Sequence, residues 1–374
     1  MKQMKQRYLS LDIVRGLAAL SVLISHWGSF TVSYAGLATK DIIKAGHAFV
    51  HLLWAGGGIH PGVIIFIVLS GFCIHLPQAK QPGRFNAVGF WQVFALRRAI
   101  RIMPTYWTAL TIGLIGVLIT GIGNDSVNSK ISFELFFSVI GVAEIARFFG
   151  CSTLYPGNTP LTTVGVEMLL YASYPFFIFL YRKFGLTALI GFGLICYSGV
   201  VVARLQGTPP LLIHGTYFEF VLYWIIGAVS ASIYVSHTTS KTHSIWLKAI
   251  TVAIITIYFT TTHLLKIKGL HVVTTPILAI STGLSLILLL RFEQNDKTPP
   301  VKIGAGLADL GERSYSLYVI HTPIILTSLY LLGHTNLPHA IYPWLTLLFT
   351  LIATEILYRL IERPCHNYAR NLRL

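Results

Sequence analysis

The stretch LDIVRGLAALSVLISHW, Leu11 to Trp27, carries three polar groups, Asp12, Arg15 and His26, inside an otherwise apolar run. Each is costly in hydrocarbon, so each needs a reason to be there. A guanidinium binds anions, and an imidazole accepts and returns protons. Arg15 and His26 are eleven residues apart, close to three helical turns. They therefore share one helix face about 16 Å apart along the axis. A lone arginine would read as a residue snorkelling to phosphate headgroups, and a lone histidine as a core group bonded to a neighbour. Two on one face, with Asp12 beside them, point to a functional wall turned toward the protein interior.

Two further clusters carry chemistry. LRRAIRIMPTYW holds Arg97, Arg98 and Arg101 at the end of a basic loop, just before an apolar run. Arg98 and Arg101 are three apart and neighbour one another on a helix face, making a fork for phosphate oxygens. Membrane anchoring by basic residues is the plainer reading of the same stretch. TTVGVEMLLYASYP sets Glu167 inside another apolar run, with Tyr171 at i+4 on the same face. A carboxylate in a membrane must be paired, protonated or useful. Ser70 and Gly71 in IIFIVLSGFCIH read as small residues for close helix approach. In ERSYSLYVIHTPI, Tyr315 and Tyr318 read as interfacial anchors and His321 as a polar group whose role the sequence leaves undecided. In LIERPCHNYAR, Glu362, Arg363 and Pro364 read as a helix stop and headgroup anchor.

The elements that must position these groups are membrane helices. Of the 374 residues, 54% are hydrophobic and 11% charged, where a soluble domain carries about a quarter charged. The net charge of +15 lies in short basic runs between apolar segments. That pattern fits cytoplasmic loops and anionic headgroups, and excludes a nucleic-acid-binding domain. The four cysteines are dispersed and show no metal-ligand or disulfide spacing.

Ten stretches are long enough to cross a bilayer: roughly 10–30, 59–76, 104–122, 162–181, 185–203, 215–235, 246–264, 272–290, 314–332 and 341–360. With ten spans and both termini cytoplasmic, the inner segments hold 18 Lys and Arg and the outer ones seven. Counting 131–149 as an eleventh span reverses that bias, so this stretch is expected as a re-entrant or interfacial helix on the outer face. The expected fold is an all-α membrane bundle of about ten helices, a single domain over 1–374, with no fused extracytoplasmic hydrolase-like domain. No bound metal or resident cofactor is expected.

Together these motifs resemble the acyltransferase-3 family of bacterial integral membrane acyltransferases. Asp12, Arg15, Gly16 and His26 match its first-span pattern LDGLRGLAALLVLxxH, and FIVLSGFCI is similar to its FFxLSGFLI. Arg98 to Arg101 matches its RxxR element, followed by IMP. SYSLYVIHTPI and IERP match its C-terminal blocks. The matches run in family order from Leu11 to Pro364. One block departs: the family's WSLSVEEQFY is TTVGVEMLLY here, which keeps Glu167 and Tyr171 but loses the tryptophan and second glutamate. The departure falls on what would be the acceptor side.

The resemblance implies a multi-pass protein of the bacterial cytoplasmic (inner) membrane. It would move an acyl group, usually acetyl, from cytoplasmic acetyl-CoA to a hydroxyl of a cell-surface glycan such as lipopolysaccharide, alone or with a separate extracytoplasmic partner. On that reading Arg15, Arg98 and Arg101 hold the donor's phosphates, and the pantetheine arm reaches three turns along the first span to His26. A buried imidazole stays neutral, so His26 is expected as general base and, as a second reading, as a transient acyl carrier. Glu167 would orient or polarise the imidazole or the acceptor hydroxyl, with Tyr171 helping to position it. The alternative is a transporter or flippase for a lipid-linked glycan or an acyl donor, although the sequence shows no matching broken-helix halves.

Overall fold

The computed structural model describes residues 8–35, 59–86, 88–121, 131–144, 157–208, 215–236, 248, 250–255, 271–295 and 302–372. All regular elements among them are helical. They are α1 (Leu9–Ala35), α2 (Pro61–Lys80), α3 (Phe90–Thr120), α4 (Ile131–Val139), α5 (Leu161–Leu205), α6 (Tyr217–Ser236), α7 (His271–Asn295), α8 (Lys302–Glu312), α9 (Ser314–Gly333), α10 (Tyr342–Leu357) and α11 (Arg363–Asn371). A π-helical turn, Tyr358–Glu362, joins the last two.

Eight of the described helices are long and apolar enough to cross a membrane. The chain is thus an all-α, multi-pass membrane protein. At 45 residues α5 would be about 68 Å long if straight, twice the hydrocarbon thickness. It is broken at Gly185, whose φ of 82° and ψ of −176° belong to a region open essentially to glycine alone. Phe176 and Phe177 meet Phe192 across the break, at ring distances of 5.3 and 6.1 Å. The helix is therefore a hairpin, and it supplies two of the ten expected spans. Most of the expected span 246–264 lies outside the described residues.

In the described part of the ambiguous stretch 131–149 the nine-residue α4 is about 13 Å long and too short to cross, and helix resumes at Ala143. A turn at Gly141 ends α4, with Val142 N–H donating to Phe137 O and Gly141 N–H to Ser138 O. Side chains of α3 hold this end in place: Tyr106 donates its hydroxyl to Ser138 O, and Trp107 its indole N–H to Val139 O. Residues 145–149 lie outside the described set.

The chain divides into two compact units. The first holds α1 up to Ser21, α2, α6 from Tyr223, α7 and α8. Here α1 and α8 approach through glycines on both sides. A Cβ on Gly16 would stand 2.2 Å from Leu307 O, and one on Gly311 1.9 Å from Asp12 O. α2 and α6 do the same, Gly71 against Trp224 O and Gly227 against Val68 O. The small-residue reading of Gly71 thus has a partner. The Glu293 carboxylate accepts from the N–H groups of Leu9 and Ser10, at 2.6 and 3.1 Å. It satisfies two donors that the helix start leaves orphaned and complements its dipole.

The second unit holds α1 from Val22, α3, α4, α5, the start of α6, α9, α10 and α11. Glu362, expected at headgroups, is buried instead. Its Oε2 accepts from Ser316 N–H at 2.9 Å and from the Ser316 hydroxyl at 2.5 Å, capping the first turn of α9. Arg204 and Glu219 form a buried ion pair at 2.6 Å, and Glu219 also accepts from Gly215 N–H.

Candidate active site

The second unit gathers most of the residues singled out above. The basic cluster does not sit on a loop: α3 starts at Phe90, so Arg97, Arg98 and Arg101 ride on its first turns. Aromatic rings pack this end. Phe85, Phe90, Trp91, Phe94 and Tyr174 form one cluster whose ring contacts run from 5.0 to 6.2 Å. The Arg98 guanidinium lies 5.8 Å from the Phe94 ring and 5.6 Å from that of Tyr171. Cation–π contact with two rings orients its flat fork. Arg101, half-buried one turn on, makes no hydrogen bond or ion pair among the described residues. Arg97 donates to Leu372 O, fastening the end of α11 to α3.

From Arg98 the contacts lead on through Tyr171. Its hydroxyl donates to the Glu167 carboxylate one turn earlier on α5. Glu167 lies within electrostatic reach of Tyr315 and Tyr318 on α9. These rings are not interfacial anchors. Tyr315 donates to Ile102 O at 3.0 Å, and Tyr318 bonds Thr163, one turn before Glu167. Asn158, at the approach to α5, donates to Ala109 O of α3 and Val319 O of α9, at 3.1 and 2.8 Å. One amide thus ties three elements around the site.

His321 lies one turn beyond Tyr318, their rings 6.0 Å apart. It is buried, and its Nε2 stands 2.7 Å from Nδ1 of His26. The two rings are nearly parallel, 12° apart, and Phe30 also stacks with His26 at 5.8 Å. Trp27, next to His26, donates its indole N–H to Pro343 O at 2.7 Å and pins this part of α1 to α10. The His26 imidazole is therefore held by protein on several sides. Sequence reasoning left the role of His321 undecided. The signal for it was its place, one turn past Tyr318 on the same helix.

Arg15 belongs to the other unit. Its guanidinium makes a 2.8 Å ion pair with Asp12 and a 3.0 Å contact with Cys73 Sγ, and a quarter of the side chain stays exposed. The partnership of Asp12 and Arg15 at i, i+3 is local to α1.

The arrangement suits transfer of a group between two substrates: a cationic fork at one end, an acidic and phenolic middle, and an imidazole at the other. Comparison with known proteins gives the family. The acyltransferase-3 family, described as an acyltransferase domain, matches residues 8–358. The Bacillus subtilis (strain 168) protein named "Putative peptidoglycan O-acetyltransferase YrhL" is 23% identical over 394 residues, covering 97% of this chain. The chain spans 56% of that relative's length. No solved structure matches. This chain, a multi-pass membrane protein, belongs to the acyltransferase-3 family.

Proposed function

We propose that the protein is an O-acetyltransferase of the bacterial cytoplasmic membrane, taking acetyl from cytoplasmic acetyl-CoA and delivering it to a hydroxyl of a cell-envelope glycan. The observation that carries this reading is the gathering in one unit of two contact groups, Arg98 with Tyr171 and Glu167, and Tyr318 with His321 and His26. The name of the Bacillus relative supports acetyl as the group and an envelope glycan as the acceptor. A separate extracytoplasmic partner that receives the acetyl group first is compatible with the same chemistry.

Arg98 and Arg101 bind donor phosphates: one fork is aimed by two rings, and the other is unengaged among the described residues. Arg15, which pairs with Asp12 in the other unit, has no part in this assignment. At the reacting end His26 takes the proton of the acceptor hydroxyl, whose oxygen attacks the thioester carbonyl. The new C–O bond forms, the C–S bond breaks, and the imidazolium returns its proton to the CoA thiolate. Glu167, sharing its carboxylate with Tyr171, polarises the acceptor hydroxyl.

The test uses membranes of cells with and without the gene, incubated with radiolabelled acetyl-CoA. Glycan fractions are then extracted and treated with mild alkali, which releases acetate from O-esters but not from N-acetyl groups. Gene-dependent, alkali-labile glycan label is expected. His26→Ala should lower it by about 10²–10⁴-fold, the worth of a general base, with the protein still in the membrane. Unreduced labelling by that variant, or no gene-dependent ester label, overturns the reading.

A further inference from the structure

We infer that His321 is a positioning residue that locks His26 into the single tautomer able to act as base. The inference rests on the proposed role of His26, and the argument is one of donors and acceptors. Nδ1 of His321 lies 2.8 Å from Tyr318 O and 3.2 Å from Leu317 O, the carbonyls three and four residues back on its own helix. A carbonyl only accepts, so this nitrogen carries the hydrogen. At 1% exposure the ring is neutral, because a charged imidazolium there would lose its hydration. A neutral imidazole has one N–H, so Nε2 of His321 is a bare lone pair.

That lone pair faces Nδ1 of His26 at 2.7 Å. Two bare nitrogens would repel at this distance, so Nδ1 of His26 bears the hydrogen and donates it. The remaining nitrogen of His26, Nε2, is then unprotonated. Among the described residues it makes no hydrogen bond, which leaves it open to a substrate hydroxyl. The Nδ1–H form is the less populated tautomer of free histidine in water, so the backbone of α9 imposes a choice the side chain would not make by itself.

The same bond helps in the transition state. As His26 takes the hydroxyl proton at Nε2 it becomes an imidazolium, and its bond to His321 becomes charge-assisted. Both protons are accounted for: the acceptor's moves to Nε2 and on to the CoA thiolate, while the Nδ1 proton stays between the rings. The logic is that of a triad's third member, with a neutral ring in place of a carboxylate. The peptide carbonyl of Tyr318 holds that ring in turn.

The test uses the full-length protein in lipid nanodiscs with histidine labelled at both ring nitrogens. In the wild type, nitrogen NMR should show His26, assigned by its loss in His26→Ala, with hydrogen on Nδ1 and none on Nε2. Hydrogen on Nε2 overturns the inference whatever the variants do. His321→Ala should lower the rate of acetyl transfer from acetyl-CoA about 10- to 10²-fold, the value of one charge-assisted hydrogen bond, with KM for acetyl-CoA within about twofold of wild type. His321→Gln, whose amide oxygen can accept from Nδ1–H, should recover most of that rate and keep the His26 spectrum. Wild-type rate in His321→Ala, or no recovery in a monodisperse His321→Gln, overturns the positioning role. The reading on which it rests fails separately, if His26→Ala stays active.

Discussion

At the scale of single residues, the two guanidiniums of the RxxR element differ in a way their spacing hides. Arg98 is stacked on Phe94 and Tyr171, whereas Arg101 is unengaged among the described residues. Lysine can replace the charge of either but not the ring-stacked fork of Arg98. Arg98→Ala is expected to raise KM for acetyl-CoA about 10- to 10²-fold, the value of one or two charge-assisted hydrogen bonds. Arg98→Lys should recover less of the loss than Arg101→Lys recovers from Arg101→Ala. Titration of each variant with acetyl-CoA checks this, and equal recovery at both positions would remove the ring-stacking argument. The charged residues were legible as candidates because a charge inside an apolar run has few innocent explanations. What each one touches was not. Glu167 was expected to orient or polarise the imidazole or the acceptor hydroxyl. Its hydrogen-bond partner is Tyr171, and the imidazole bonds His321, which lies 295 residues away in the chain.

At the scale of elements, apolar length placed the helices well, and polar detail decided where they end. α3 runs fourteen residues before the expected start of its span because Phe90, Trp91 and Phe94 pack with Phe85 and Tyr174 instead of fraying into a loop. α4 stops at a turn that α3 fastens. Close approach is the other element-scale device. With Cβ positions 2.2 and 1.9 Å from opposing carbonyl oxygens, neither Gly16 nor Gly311 has room for a methyl group. Gly311→Ala must push α8 away from the turn of α1 that carries Asp12 and Arg15. Overpacking of this kind costs about 1–3 kcal/mol. A lower melting temperature in detergent is expected for Gly311→Ala and for Gly16→Ala. The same change at Gly306, also on α8 but with open space around it, should leave the melting temperature nearly unchanged. A neutral Gly311→Ala would show that the two helices separate without penalty.

At the scale of the whole molecule, the basic residues make an orientation prediction. With 18 Lys and Arg on one set of loops and seven on the other, both termini should face the cytoplasm. A fluorescent protein fused after Leu374 should mature and fluoresce, and alkaline phosphatase fused at the same place should be inactive. The opposite pair of results would reverse the proposed sidedness of the donor site. Composition and periodicity by themselves determined that the chain is an all-α membrane protein, which stretches are helical, and which polar residues do not belong in lipid. They could do so because hydrocarbon penalises every unpaired polar group, and that penalty is written locally. Only the tertiary structure decided that His26 meets His321 and that Glu362 caps α9 rather than facing headgroups. Those pairings join residues far apart in the chain, and helix packing alone sets which faces meet.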